Sequence, residues 1–203
     1  MARPRTRSLP QKESYHHGDL RHALLESALA IVSEEGVHDL SLREVARRAG
    51  VTYAAPYHHF ADKSALLAAV GAQGFEVLIR ELERASSRSE DLRGQLLAMA
   101  EAYLAFARSH PSHYRVMFLP ELKITDVEEY HRAGDRAFDM LVSRVKLARP
   151  GDPETAQLTV AATVWAALHG LSLLSIDGTL EHKFAKINKM LRQACGAIVR
   201  MVL

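Results

Sequence analysis

A single cysteine, Cys195, stands in the 203 residues, so no internal disulfide can staple the chain, and no Cys/His series has zinc-finger spacing. Folding must rest on apolar burial, and a 48% hydrophobic composition supplies a core of ordinary size. A reducing cytoplasm is the expected setting. An excess of one charge is also missing, since the formal net charge of +2 is too small to argue nucleic-acid binding from the total. The first residues, MARPRTRSLPQKES, are basic and polar without an apolar h-region, so they do not read as a secretory signal. No nucleophile-base constellation and no phosphate-cradling glycine loop occurs. The expectation is a non-enzyme with no catalytic residue, cofactor or metal.

The one long uncharged run, Thr155 to Ile176, could span a bilayer by length. It carries Gln157, Thr159, Thr163, His169, Ser172 and Ser175, and its flanks are acidic with few basic anchors. It is therefore expected inside the protein or between subunits, with no membrane partner. Elsewhere helical periodicity dominates and no run alternates as a strand. The chain is expected to be all-α. Breakers at Gly36, Gly50, Ser86-Ser87, His110-Pro111, Pro120, Arg149-Pro150-Gly151 and Asp177-Gly178 divide it into about nine helices. Residues 1–14, with Arg3, Arg5, Arg7 and Lys12 among prolines and serines, are expected to be a disordered arm. That arm suits either a solubilising tail or an insertion into a DNA groove.

The segment Gly36 to Leu67 is the most informative. Ser41 with Glu44 three residues on is a capping box for a short helix that turns Leu42, Val45, Ala46 and Ala49 inward and Arg43, Arg47 and Arg48 outward. Gly50 permits the left-handed turn that ends it. Thr52 is expected to cap a second short helix, giving a helix-turn-helix whose second helix enters a major groove. Pro56 would then stand at the fourth helical position, where its missing N–H forfeits one bond. Thr52, Tyr53, Ala54 and His58 are the candidate groove-facing residues, with Ala55 small enough for close approach and His59 beside them. Ser41, Arg43, Tyr57 and Lys63 are candidate phosphate contacts, and Phe60 should return to the core.

Histidines and glutamates suggest a rival. His58-His59 are adjacent and project about 100° apart on a helix, so they cannot chelate one ion; the same holds for His16-His17. Glu128-x-x-His131 has the spacing used by carboxylate-bridged di-iron bundles. Its companions, Glu13/His16 and Glu35/His38, lie in the arm and across a helix-ending glycine. A helical di-metal carboxylate oxidoreductase thus stays as an alternative, alongside an architectural DNA-binding protein without an effector.

Leu40 to Leu67, LSLREVARRAGVTYAAPYHHFADKSALL, resembles the DNA-binding segment of the tetracycline-repressor (TetR) family of bacterial regulators. The marks are Arg-x-Val-Ala-x-x-Ala-Gly-Val, the Tyr-x-His-Phe of Tyr57 to Phe60, and Lys63 followed by Leu66-Leu67. It extends through a first helix near Asp19 to Glu35 and a long helix from Asp62, and departs at Pro56, where the family more often has an aliphatic residue. Trp165, His169 and Gly170 resemble the signature of the family's Trp-His-Gly branch. The resemblance implies a helix-turn-helix domain, 15–61, and a linker helix with a C-terminal effector-binding and dimerisation domain, 62–203.

In the last helix Phe184, Ile187, Leu191, Ala194, Ile198 and Met201 follow a 3-4-3-4-3 spacing, the seam of a packed helix. With Leu158 of the uncharged run, Phe184, Ile187, Leu191 and Ile198 are the candidate dimer contacts that the resemblance implies. Met99, Tyr103, Phe106, Met117, Phe118, Phe138, Met140 and Leu141 read first as core; all of these but Met140, with Trp165 and His169, are the candidate effector pocket, suited to a small hydrophobic molecule. The function expected is a homodimeric, ligand-responsive repressor of a palindromic DNA operator.

Overall fold

The computed structural model describes residues 17–203, so the basic arm, His16 and Glu13 lie outside the described residues. Among those described there are eight α-helices, two short 3-10 helices and no strand. The eight are α1 (His17–Glu34), α2 (Leu42–Arg48), α3 (Lys63–Ser86), α4 (Leu92–Ser109), α5 (Pro111–Met117), α6 (Glu128–Ala148), α7 (Glu154–Ile176) and α8 (Ile187–Val199). The 3-10 helices are Ala55–His58 and Pro120–Ile124. The sequence breakers fall at helix ends, and Gly36 and Gly50 adopt φ of 93° and 69°, which a side chain would strain. This agrees with the all-α reading of about nine helices; the segments holding Pro56 and Pro120 close as 3-10 turns rather than α-helices.

Helix α3 is the spine. Asp62 caps it by accepting a hydrogen bond from the Ala65 amide at 2.8 Å. Its first turns pack on α1, and its later turns are enclosed by α4, α5 and α6. Close approach depends on small residues: a Cβ on Gly74 would lie 2.7 Å from the Met117 sulfur, and one on Gly71 would lie 3.0 Å from the Tyr130 ring. Tyr130 completes the junction by donating its hydroxyl hydrogen to the Met117 carbonyl at 2.8 Å.

Helix α7 is long and apolar enough to cross a membrane. Here it packs one face, with Ala161, Val164, Leu168 and Ser172, against α4, α6 and α8. Its other face, which includes Leu158, Ala162 and Ala166, is exposed although it carries no charge after Glu154 in the first turn. Only 28% of its most apolar window is buried, so the burial expected of this helix is not completed within one chain. The α8 seam also divides: Leu191 and Ile198 are 5% and 9% exposed in the chain's own core, whereas Phe184, just ahead of α8, is 42% exposed.

Candidate DNA-reading surface and effector cavity

The candidate reading surface begins at α2. Ser41 accepts from the Glu44 amide at 3.2 Å, so the expected N-cap is present. The reciprocal half of the box is replaced, because the Glu44 carboxylate turns to Arg47 (2.6 Å) and Arg48 (3.2 Å). The Arg47 hydrogen bond, helped by Arg48 against a desolvation cost, lowers the Glu44 pKa to about 2. Arg48 also pairs with Glu34 at 2.6 Å and with Glu35, clamping the end of α1 to α2. Of the three arginines expected to face outward, Arg47 and Arg48 thus serve the chain's own carboxylates. Arg43 has no carboxylate partner among the described residues and lies over the Tyr53 ring, 4.7 Å from its centroid.

Thr52 does not cap an α-helix. The segment after it closes through i to i−3 bonds, from Ala55 N–H to Thr52, Tyr57 N–H to Ala54 and His59 N–H to Pro56. The physical reason is Pro56: the first bond of an α-helix started at Thr52 would run from residue 56 to the Thr52 carbonyl, and proline has no N–H to donate. The result is a tighter 3-10 turn in which Pro56 is buried. Thr52, Tyr53, Ala54, Tyr57 and His58 are exposed, Tyr53 and Tyr57 at 53% and 60%. Ala55 and His59 are half-buried, and Phe60 returns to the core at 3%. Ser41 and Arg43 share the exposed side, while Lys63 donates to the His38 carbonyl at 3.1 Å from the start of α3.

In the body a cavity of about 380 Å³ opens between α3, α4, α6 and α7. Met99, Tyr103, Met117, Phe118, Phe138, Leu141 and Trp165 line it, seven of the nine candidates. Phe106 does not: it is buried and stacks on His110 with ring centroids 5.0 Å apart. His169 stands behind the wall, 4.4 Å edge-to-face from Phe118, with its Nδ1 2.7 Å from the Tyr114 hydroxyl. The sequence reasoning missed Phe75, Leu78 and Leu82, whose i, i+3, i+7 spacing on α3 was the available signal, and also Lys123, Tyr130, His131 and Asp135.

The cavity's polar wall is internally satisfied. Trp165 Nε1 donates to the Tyr103 hydroxyl at 3.3 Å, the Tyr103 and Tyr114 hydroxyls are 3.0 Å apart, and Tyr114 reaches His169. Burial raises the Tyr103 pKa well above its usual value and pushes Tyr114 up to about 12, so both phenols keep their protons. Burial, with a smaller contribution from the Lys123 charge, lowers the His169 pKa and favours neutral imidazole. Trp165, Tyr103 and Tyr114 then each donate to the next group if protons run from Trp165 through Tyr103 and Tyr114 to His169 Nδ1, which leaves the imidazole proton on Nε2. Nothing in this wall is arranged for bond-making. Among the described residues no three His, Cys, Asp or Glu side chains gather for a metal, and His131 is held by the Thr125 carbonyl at 2.7 Å.

A helix-turn-helix head joined through a long helix to a bundle with an apolar cavity defines the class of DNA-binding regulators. Comparison with known proteins makes the assignment specific. The family "Bacterial regulatory proteins, tetR family" matches residues 24–70, and "Tetracyclin repressor-like, C-terminal domain" matches residues 96–198. A structure of a protein of unknown function from Rhodococcus sp. RHA1 is 32% identical, superposes with a TM-score of 0.79, and is matched over 93% of this chain and 98% of its own. An uncharacterized HTH-type transcriptional regulator of Mycobacterium tuberculosis is 29% identical over 79% of this chain and 72% of its own length. The HTH-type regulator BetI of Yersinia pestis is 37% identical, over 40% of this chain and 42% of its own. The chain belongs to the TetR family of transcriptional regulators: it is a DNA-binding regulator and not an enzyme.

Proposed function

We propose that this regulator represses transcription by binding a palindromic operator as a homodimer and is released by a small apolar effector held in the body cavity. The observation that carries the reading is that α3 belongs to both regions. Phe75, Leu78 and Leu82 form cavity wall, while the same helix packs on α1 of the head and begins only a few residues after the 3-10 turn. A ligand that displaces the later turns of α3 therefore moves the reading surface, provided it binds one arrangement better than the other. Residues 15–61 act as the head and 62–203 as the body, and the reaction with DNA is cytoplasmic. An architectural DNA-binding protein would have no use for such a cavity.

The homodimer reading rests on the uncharged outer face of α7. Leu158 is 40% exposed there, and a Cβ on Gly170 would meet nothing within 4 Å, leaving that position open for close approach of a second chain. Leu158 and Phe184 are the better contact candidates, because Leu191 and Ile198 are already covered. Membership of the Trp-His-Gly branch is supported by the shared role of Trp165 and His169 at the two ends of one hydrogen-bond chain.

The test is reciprocal. Operator sequence is first obtained by selection from random DNA, with a near-palindrome expected at a spacing of one helical turn or a multiple. A hydrophobic compound that binds the chain should weaken operator binding by the same factor by which saturating operator weakens its own binding. A broad hydrophobic panel that leaves operator affinity unchanged overturns the ligand-responsive reading while leaving DNA binding intact.

A further inference from the structure

We infer that Arg21 and Glu129 select the spacing between operator half-sites: their ion pair fixes the angle of the head on the body, and through it the separation of the two reading surfaces in a dimer. The inference rests on the homodimer and palindrome reading and adds the residues that choose the distance. Arg21 stands near the start of α1 and Glu129 in the first turn of α6, 108 positions apart in the chain, yet Arg21 Nη2 is 2.9 Å from the Glu129 carboxylate. Among the described residues this is the one ion pair between the head and helices α4 to α8.

Both ends of the pair are held. The Arg21 guanidinium carbon lies 5.7 Å from the centroid of the Phe60 ring, and Phe60 is the buried residue that ends the reading turn, its N–H bonded to the Pro56 carbonyl at 2.9 Å. On the body, Glu129 precedes Tyr130, whose ring occupies the space over Gly71 and whose hydroxyl donates to the Met117 carbonyl at 2.8 Å. The neighbouring Glu128 turns to Arg132 at 3.5 Å. One guanidinium thus touches the residue that closes the reading turn and a carboxylate rooted in the body.

Packing of α1 on α3 and α5 sets where the head lies. Apolar contact is non-directional and lets one surface turn on another, whereas an arginine-carboxylate hydrogen bond has a preferred geometry. Adding one base pair between half-sites shifts the second by about 3.4 Å and turns it by about a tenth of a helical turn. A head that follows rotates on the body and draws Arg21 from Glu129, so the pair penalises every spacing at which it cannot form. With the two side chains 39% and 56% exposed, the penalty is small and screened by salt. It sharpens a choice of spacing and adds nothing to the reading of bases.

The experiment needs no effector. Sites are selected from random DNA with the full wild-type chain and with Glu129→Gln and Arg21→Met, and affinities are then measured on probes whose half-sites differ only in separation. Both variants should recover the wild-type half-site sequence with a broader range of spacings. Preference for the wild-type spacing over one longer by a base pair should fall about two- to fivefold per subunit, the range for an exposed ion pair. Arg21→Lys, which keeps a cation opposite Glu129, should retain most of that preference, and the salt slope of binding should stay unchanged in all three. An undiminished spacing preference in Glu129→Gln and Arg21→Met, or equal losses in Arg21→Lys and Arg21→Met, overturns the inference and leaves the dimer and its palindrome standing. So does a salt slope reduced by Arg21→Met and not by Glu129→Gln, which would make Arg21 a phosphate contact. A wild-type selection without paired half-sites overturns the homodimer reading, and the inference with it.

Discussion

The reading turn and the cavity are both rich in aromatic residues, and they treat them in opposite ways. Tyr53 and Tyr57 stand more than half exposed, one under Arg43, while Tyr103 and Tyr114 are buried and close their hydroxyls on each other. Exposed aromatic surface on a segment held by a buried proline and a capped helix is open to a partner, and the proposed partner is DNA. Buried phenols with satisfied hydroxyls leave instead a space that only apolar groups fill well. Charge follows the same division. Arg47 and Arg48 tie the head to itself through Glu44, Glu34 and Glu35, whereas Lys123 and Asp135 of the cavity lining form no ion pair among the described residues.

The sharpest way to break the comparison is to place charge on the two sides of the bundle surface. Leu191→Glu puts a carboxylate where the side chain is 5% exposed and should cost several kcal/mol, seen as loss of the cooperative melt. Leu158→Glu should leave protomer stability within about 0.5 kcal/mol, as for an exposed site, yet give a monomer in light scattering with weakened operator binding. A dimeric Leu158→Glu chain with normal DNA affinity would show that the α7 face is covered by something else.

Next in size is the α3 spine. Gly74→Ala sets a methyl 2.7 Å from the buried Met117 sulfur, and overpacking of this kind costs about 1–3 kcal/mol in denaturant melts. It should also shift effector affinity, because Met117 is a cavity wall. A neutral result would mean that α5 moves freely against α3, which would weaken the coupling argument.

On the head, Tyr53→Ala and Lys63→Ala should fail differently. Removing a base contact costs about 1–3 kcal/mol and changes the selected consensus at one or two positions per half-site. Losing Lys63 should weaken all sequences alike and reduce the salt slope by about one unit per subunit. An unchanged consensus for Tyr53→Ala would remove it from the reading residues.

The smallest expected effect is the coupling of Arg43 and Tyr53. A double-mutant cycle on operator affinity should give about 0.5–1 kcal/mol for a cation over an exposed ring. Arg43→Lys keeps the charge and so the salt slope, but loses the planar stack and should relax discrimination where Tyr53 reads. Strict additivity would mean that the two residues act separately.

Much of the head was legible because its information is local. Ser41 caps α2, Gly50 turns, Phe60 returns to the core, and each is decided by residues within a few positions. The miss at Thr52 was local too: the absent Pro56 amide was recognised, but its cost was charged to one bond rather than to the choice between α and 3-10 closure. The cavity was read less completely. Met99, Tyr103 and Trp165 stood out by residue type, but α3 looked like a linker, and Phe106 resembled its neighbours although it packs on His110.

From its own residues the chain determines an all-helical fold cut at its glycine and proline breakers, the cap of α2, the outward side of the turn after Gly50 and the need to bury an uncharged helix, because periodicity, caps and missing amides act over one or two turns. Only tertiary structure decides that Leu191 and Ile198 serve the protomer while Leu158 and Phe184 stay open, that Arg48 binds three glutamates, and that Lys123 and Asp135 meet one cavity. Those outcomes depend on which faces of distant helices come together, and a heptad-like seam is the same string whether its partner lies in the same chain or in another.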